Sequence, residues 1–152
     1  MVELSFEAEI RASAERVFSL LLELRDYDRW LPRSSAFHGT SKISDGPIKV
    51  GTTYVEPGPL GTRHGIVTRS IRPTHLDFEQ PMLLRPRVFG AIGIKLFHRL
   101  TPEGDHVHVL RSLELSPEGP IRLAMPLVIS SFRSENARMM KTLKTFAENE
   151  ES

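Results

Sequence analysis

No cysteine occurs anywhere in the 152 residues of this chain. That excludes disulfide frameworks, thiol nucleophiles and thiolate metal sites, and it suits a reducing compartment such as the cytoplasm. Aromatic residues are scarce, 7% with one tryptophan and two tyrosines, so aliphatic side chains must fill most of any core. A charge excess is also missing: the formal net charge is +1, and no overall attraction to nucleic acid is expected. Long apolar runs are absent too. The longest aliphatic clusters, LLLEL and AMPLVI, fall far short of the ~20 residues that span a bilayer, so stable membrane insertion is not expected. The opening MVELSFEAEI has neither the basic nor the apolar region of a signal peptide. No Gly-x-Ser-x-Gly elbow is present, and the glycine-rich PGPLGTRHG lacks the Lys-Ser/Thr of a phosphate loop.

What is present reads as one domain over residues 1–152, with 39% hydrophobic and 26% charged residues and enough chain to build a core unaided. Val2, Leu4, Phe6, Ala8 and Ile10 alternate with polar residues, which predicts a strand with one buried face. Ser13 offers a helix cap, followed by Val17, Leu20, Leu21 and Leu24 at helical spacing. A second short helix, DYDRWLP, ends near Pro32. From Ala36 to about Pro117 the pattern is strand-like, punctuated by SDGPIKVG, PGPLG, RPTH, QPMLLRPR and TPEGD. After Gly119 and Pro120 it is helical to about Glu148. This order predicts an α+β fold. An antiparallel sheet of six to seven strands curves around one long C-terminal helix, with two short helices after the first strand. Gly51, Gly90 and Gly93, with so few aromatics, leave room for a cavity between sheet and helix.

The segment IRASAERVFSLLLELRDYDRWLP carries Ser13, Glu15, Val17, Phe18, Leu21, Trp30 and Pro32 in the pattern that opens START/Bet v 1-like (SRPBCC) domains. FHRLTPEGDHVHVLRSLEL resembles the penultimate hairpin of that superfamily, and GPIRLAMPLVISSFRSENARMMKTLKTFAE its closing helix. The resemblance covers the whole chain and is nearest to the polyketide cyclase/dehydrase and lipid-transport-like branch. It implies a helix-grip fold and a hydrophobic ligand between the sheet and the last helix. One scaffold in this superfamily serves carriers, cyclases and chaperone-like proteins, so the fold alone does not choose among them.

The candidate site centres on the hairpin of residues 92–115. Its inward set is Ile92, Ile94, Leu96, His98 and Leu100, then Val107, Val109, Arg111, Leu113 and Leu115. With Pro102–Asp105 as the loop, Leu100 faces Val107, His98 faces Val109 and Leu96 faces Arg111. His98 and Arg111 then lie diagonally, roughly 7–8 Å apart at the backbone. Arginine cannot shed its proton, so a buried Arg111 needs an internal acid or an anionic ligand. Arg69 and Gln80 join the polar lining if the face shared by Val67, Arg69 and Ile71 is inward; in the other register Arg69 faces solvent. Trp30, Tyr54, Phe78, Met125, Ile129 and Phe132 are the large side chains expected around the cavity, and Asn136 on the buried helical stripe requires a hydrogen-bond partner. His106 and His108 sit on the outward face beside Arg99 with no third ligand evident, so no metal or cofactor is expected. In PMLLRPRVFG, Leu83 and Leu84 with Arg85 and Arg87 form a lid, a contact for an acyl chain or a membrane surface, or a loop folded onto its own core.

Two functional readings use the same residues. The first is binding of a largely apolar small molecule, lipid or polyketide-like, whose polar end meets Arg111 and His98. The second is an aromatase/cyclase-type enzyme in which His98 moves protons and Arg111 stabilises an enolate. The expected inner face shows no paired carboxylates and no second acid or base, which favours binding. A third reading is an interaction module of the cochaperone kind.

Overall fold

The computed structural model describes residues 1–34 and 37–149; Ala36, where the strand-rich region is predicted to begin, lies outside them. Strand β1 (Val2–Ile10) leads into helix α1 (Ala14–Leu22) and a 3-10 helix at Leu24–Arg29. Then come β2 (Thr53–Pro57), β3 (Gly61–Ile71), β4 (His75–Glu79), β5 (Met82–Leu84), β6 (Ala91–Glu103), β7 (His106–Glu118) and helix α2 (Met125–Asn149). Strand structure starts later than the pattern predicts. In residues 37–52 the chain makes an isolated bridge from Ser41 to Val55, because SDGPIKVG is turn-forming from end to end.

The seven strands form one antiparallel sheet in the order β1-β7-β6-β4-β3-β2, with β5 bridging β3 and β6. With the long C-terminal helix, this is a helix-grip α+β fold. The second short helix is a 3-10 helix that begins at Leu24, earlier than predicted. Ser13 caps α1: its Oγ accepts the backbone N–H of Arg16 at 3.1 Å, an interaction worth about 1 kcal/mol. Val17, Phe18, Leu21 and Leu22 on that helix are buried.

The hairpin register differs from the predicted one by two residues. Glu103 pairs with His106, and the turn is Gly104–Asp105 alone, with Gly104 at φ 68°. Such a turn needs glycine first, since its left-handed φ is strained for other residues. Pro102 belongs to the strand instead of ending it. Leu100 donates its N–H to Thr74 O on the β4 side, so Pro102, two residues on, turns its missing N–H toward the same side. There β4 has already ended, and the ladder to β7 stays whole. The consequence is direct pairing: His98 stands opposite Arg111, not diagonal to it.

Helix α2 buries Met125 and Val128 near its start and Asn136, Met139, Met140, Leu143 and Ala147 further on. Between Val128 and Asn136 no residue of the helix is fully buried. The half of α2 after Asn136 packs on β1 and α1, where Lys144 donates to Glu9 O and Ala147 O accepts from Arg16 Nε. Beside the unburied stretch, a cavity separates the helix from the sheet. The chain therefore has a packed end and an open end.

Two other expectations are corrected by local geometry. A bulge between Val67 and Arg69 resets the alternation of β3. Val67 stays inside while Arg69 and Ile71 are exposed. In PMLLRPRVFG the leucines are not a loop: Met82–Leu84 is strand β5, Leu84 is buried, and the exposed apolar pair is Val88–Phe89. No helix among the described residues is long and apolar enough to cross a membrane.

Candidate functional site

The cavity measures about 440 Å³, within the range of small-ligand sites. Its sheet wall is built by alternation. Ile94 and Leu96 on β6, Arg111 and Leu113 on β7, Phe78 on β4 and Gln80 just after it all point inward. Tyr54 on β2 joins them because its cross-strand neighbour is Gly65. A Cβ at that glycine would stand 2.1 Å from the Tyr54 ring, so only glycine lets the ring lie over β3. Tyr27 and Leu31 close one side, Phe132 and Asn136 on α2 form the roof, and the loop Gly58–Gly61 forms the rim.

The predicted site residues divide accordingly. Arg111, Leu96, Ile94, Leu113, Phe78, Tyr54 and Phe132 all line the cavity. Val109 is fully buried beneath it. Met125 and Ile129 lie on the first turns of α2 without lining the cavity. Trp30 packs edge-on against Tyr27, ring centroids 5.2 Å apart, and supports the wall from behind. Arg69 is outside, turned away by the bulge.

His98 is fully buried and also stands behind the wall. Its Nδ1 lies 3.0 Å from Leu76 O and its Nε2 2.6 Å from Arg111 Nη1. A carbonyl can only accept and a guanidinium can only donate, so Nδ1 carries the proton and Nε2 accepts. Burial, and then the neighbouring Arg111 charge, lower its pKa to about 3. Both ring nitrogens are occupied within the protein, Nε2 by Arg111, and the ring is fully buried.

Arg111 is buried at 8% exposure. Its Nε donates to Asn136 Oδ1 at 2.6 Å and its Nη1 to His98. Asn136 is fixed in turn, its Nδ2 donating to Phe132 O at 2.8 Å. Among the described residues no carboxylate forms an ion pair with Arg111, and its Nη2 has no hydrogen-bond partner. Burial lowers its pKa to about 10, opposed by Tyr27, Glu56 and Tyr54, so the guanidinium remains charged at neutral pH. The sequence asks for an acid or an anion beside it. The fold supplies two neutral acceptors and an open edge.

Opposite Arg111 lies a polar cluster that includes an acid absent from the predicted inner face. Glu56 is buried and lines the cavity. It accepts from Thr40 Oγ1 at 2.8 Å and Gln80 Nε2 at 3.3 Å, and pairs with Arg63 Nε at 3.3 Å. Gln80 Nε2 also donates to Tyr54 OH at 2.5 Å. Tyr27 OH donates to Leu21 O. Burial first and Glu56 second raise the pKa values of both tyrosines, so both stay protonated. Glu56 was legible. It sits two residues after Tyr54, and the alternation that turns Tyr54 inward does the same for Glu56.

On the outer face, His106 and His108 have acidic partners that the sequence alone does not reveal. Glu9, brought alongside by β1, lies 2.5 Å from His108 Nδ1 and 3.2 Å from His106 Nε2. Glu9, Glu103 and His106 have ligand atoms within 4.8 Å of one another, an exposed grouping that these ion pairs account for.

A sequence model of the family described as polyketide cyclase / dehydrase and lipid transport matches residues 1–148. No curated protein sequence matches the chain significantly. Among solved structures, the Aha1 dimer of Colwellia psychrerythraea is 18% identical, with each chain covered in full and a TM-score of 0.68. Norcoclaurine synthase of Thalictrum flavum, in complex with dopamine and hydroxybenzaldehyde, is 15% identical, covering 99% of this chain and 88% of the other, with a TM-score of 0.71. A hypothetical protein of Helicobacter pylori, 10% identical over 96% of this chain and 88% of its own, has a TM-score of 0.74. These likenesses share the fold, and the family match spans nearly the whole sequence: the chain belongs to the polyketide cyclase/dehydrase and lipid transport family.

Proposed function

We propose that this protein is a cytoplasmic binding protein that carries or sequesters a hydrophobic small molecule, lipid or polyketide-like, with one anionic or hydrogen-bond-accepting end. The apolar body occupies the space between Ile94, Leu96, Leu113, Phe78 and Phe132, and the polar end meets Arg111. One observation carries the reading. A buried guanidinium with neutral partners and a free Nη2 borders an apolar cavity, which favours an acceptor there. The likeness to norcoclaurine synthase, solved with two small aromatic molecules, supports a fold of this kind holding such ligands.

Two probes with one skeleton test it: anionic 1-anilinonaphthalene-8-sulfonate and neutral N-phenyl-1-naphthylamine. Both should bind, the anion more tightly. Arg111→Met should weaken the anion roughly tenfold or more, the worth of a charge-assisted hydrogen bond, and leave the neutral probe within about twofold. Failure of both probes to bind would remove the cavity reading; an unchanged anion affinity in the variant would remove Arg111 as the anchor.

A cyclase-type reading has an observation of its own in Glu56, a carboxylate lining the same cavity. It could take a proton next to a carbonyl whose oxygen Arg111 holds. Recovery of a bound polyketide-like compound chemically unaltered supports the carrier. A dehydrated product that disappears in Glu56→Gln supports the enzyme.

A further inference from the structure

Two segments far apart in sequence meet beside the cavity mouth with their apolar tips uncovered. The 3-10 turn Arg87–Phe89 packs against the 3-10 helix Pro120–Ala124. Val88 (72% exposed) and Phe89 (50%) project from the first, Leu123 (90%) and Leu127 (77%) from the second and from the start of α2. The backbone between the two leucines is helical, with Met125 at φ −55° and ψ −37°, so at four residues' spacing they share one side. A single exposed leucine needs no account, but a contiguous group of this kind marks an interaction surface.

Charge says what kind. Neither residues 80–95 nor residues 119–134 contain an aspartate or glutamate. They carry Arg85, Arg87, Arg122 and Arg133, all exposed and, among the described residues, in no ion pair. The chain as a whole is nearly neutral, so its acids lie elsewhere, with Glu79, Glu118 and Glu135 immediately flanking the two stretches. The patch adjoins the cavity: Arg85 donates its N–H to Leu60 O at 2.9 Å, and Leu60 lines the mouth, as does Ser131, one turn beyond Leu127.

We propose that this surface docks on an anionic phospholipid bilayer. Its arginines meet lipid phosphates and its four apolar tips enter the boundary between headgroups and acyl chains. The tips project and are aliphatic or phenyl, with no tyrosine or tryptophan to anchor a protein partner. Docked this way, the cavity mouth lies next to the membrane. The proposal is independent of what the cavity binds.

Vesicle co-sedimentation is the test. The protein should sediment with mixed phosphatidylcholine–phosphatidylglycerol vesicles, remain in solution with phosphatidylcholine alone, and be released by salt. The double variant Leu123→Asp/Leu127→Asp should lose at least tenfold in affinity, and Arg85→Ala or Arg87→Ala about fivefold each. Both leucines are exposed, so an unchanged melting temperature and unchanged N-phenyl-1-naphthylamine binding will show that fold and cavity are intact. No binding to anionic vesicles at low salt, or binding that survives the double aspartate variant, would overturn the proposal. So would loss of vesicle binding alongside tight binding to polyglutamate, which would identify an acidic protein partner.

Discussion

Arg111 is a cation among neutral partners, and each partner has a separate job. Asn136 takes Nε, His98 takes Nη1, and the edge with Nη2 is left for the cavity. Removing one acceptor should expose the cost of the unsatisfied charge. Asn136→Leu should destabilise the fold by about 1–3 kcal/mol, the penalty for a buried group left unpaired. In the double variant Arg111→Met/Asn136→Leu most of that loss should return, because the charge has gone as well. Urea unfolding of the four proteins measures the coupling. If the two losses merely add, Arg111 and Asn136 do not depend on each other.

Among the elements, α2 combines two tasks along one length. Leu143 is fully buried in the half packed on β1 and α1, whereas Phe132 is only partly buried and borders the cavity. Leu143→Ala should cost about 2–5 kcal/mol, because the packed surroundings cannot collapse into the space. Phe132→Ala, which enlarges an existing void, should cost about 1 kcal/mol or less while changing the affinity for N-phenyl-1-naphthylamine. Unfolding and titration of both variants would show whether stability and binding separate along the helix. The element order and the buried stripe of α2 were legible because each rests on a local period. The inward positions of β6 and β7 were legible for the same reason. What escaped depended on contacts between distant segments. The bulge that turned out Arg69, the acids opposite His106 and His108, and the later strand start after Ser41 leave no periodic trace. In sequence, proline at 102 has the mark of a strand stop, since only the sheet shows that its missing N–H faces no strand.

At the scale of the whole molecule, the histidines set opposing pH dependences. His98 is depressed from 6.5 to about 3. Between those values the unfolded chain takes up a proton that the folded one refuses. Stability therefore rises with pH across this window and is lost on acidification from about 6.5 toward 3. His106 and His108 are raised, mainly by hydrogen bonds to Asp105 and Glu9 respectively. Their contribution is complete below 6.5 and disappears as pH climbs through their raised values. Denaturant unfolding as a function of pH should thus give a maximum near neutrality. His98→Gln should flatten the acid side, and His108→Gln should flatten the alkaline side. A profile unchanged in both variants would mean that other groups control it.

The Gly104–Asp105 turn lies some twenty ångströms from the cavity, six strand residues at about 3.3 Å each from His98, and touches no ligand-facing group. Yet it decides which residue sits across from which. Two residues inserted just after it in the β7 arm, with the turn itself kept at two residues, would leave every inward residue inward, since sidedness repeats every second position, but His98 would then pair with Val109 and Arg111 with Leu96. Hydropathy and burial would look the same, and the guanidinium would lose its imidazole. In the divergence of such chains, insertions at this distant tip are therefore a route to new ligand chemistry that leaves every wall residue unchanged.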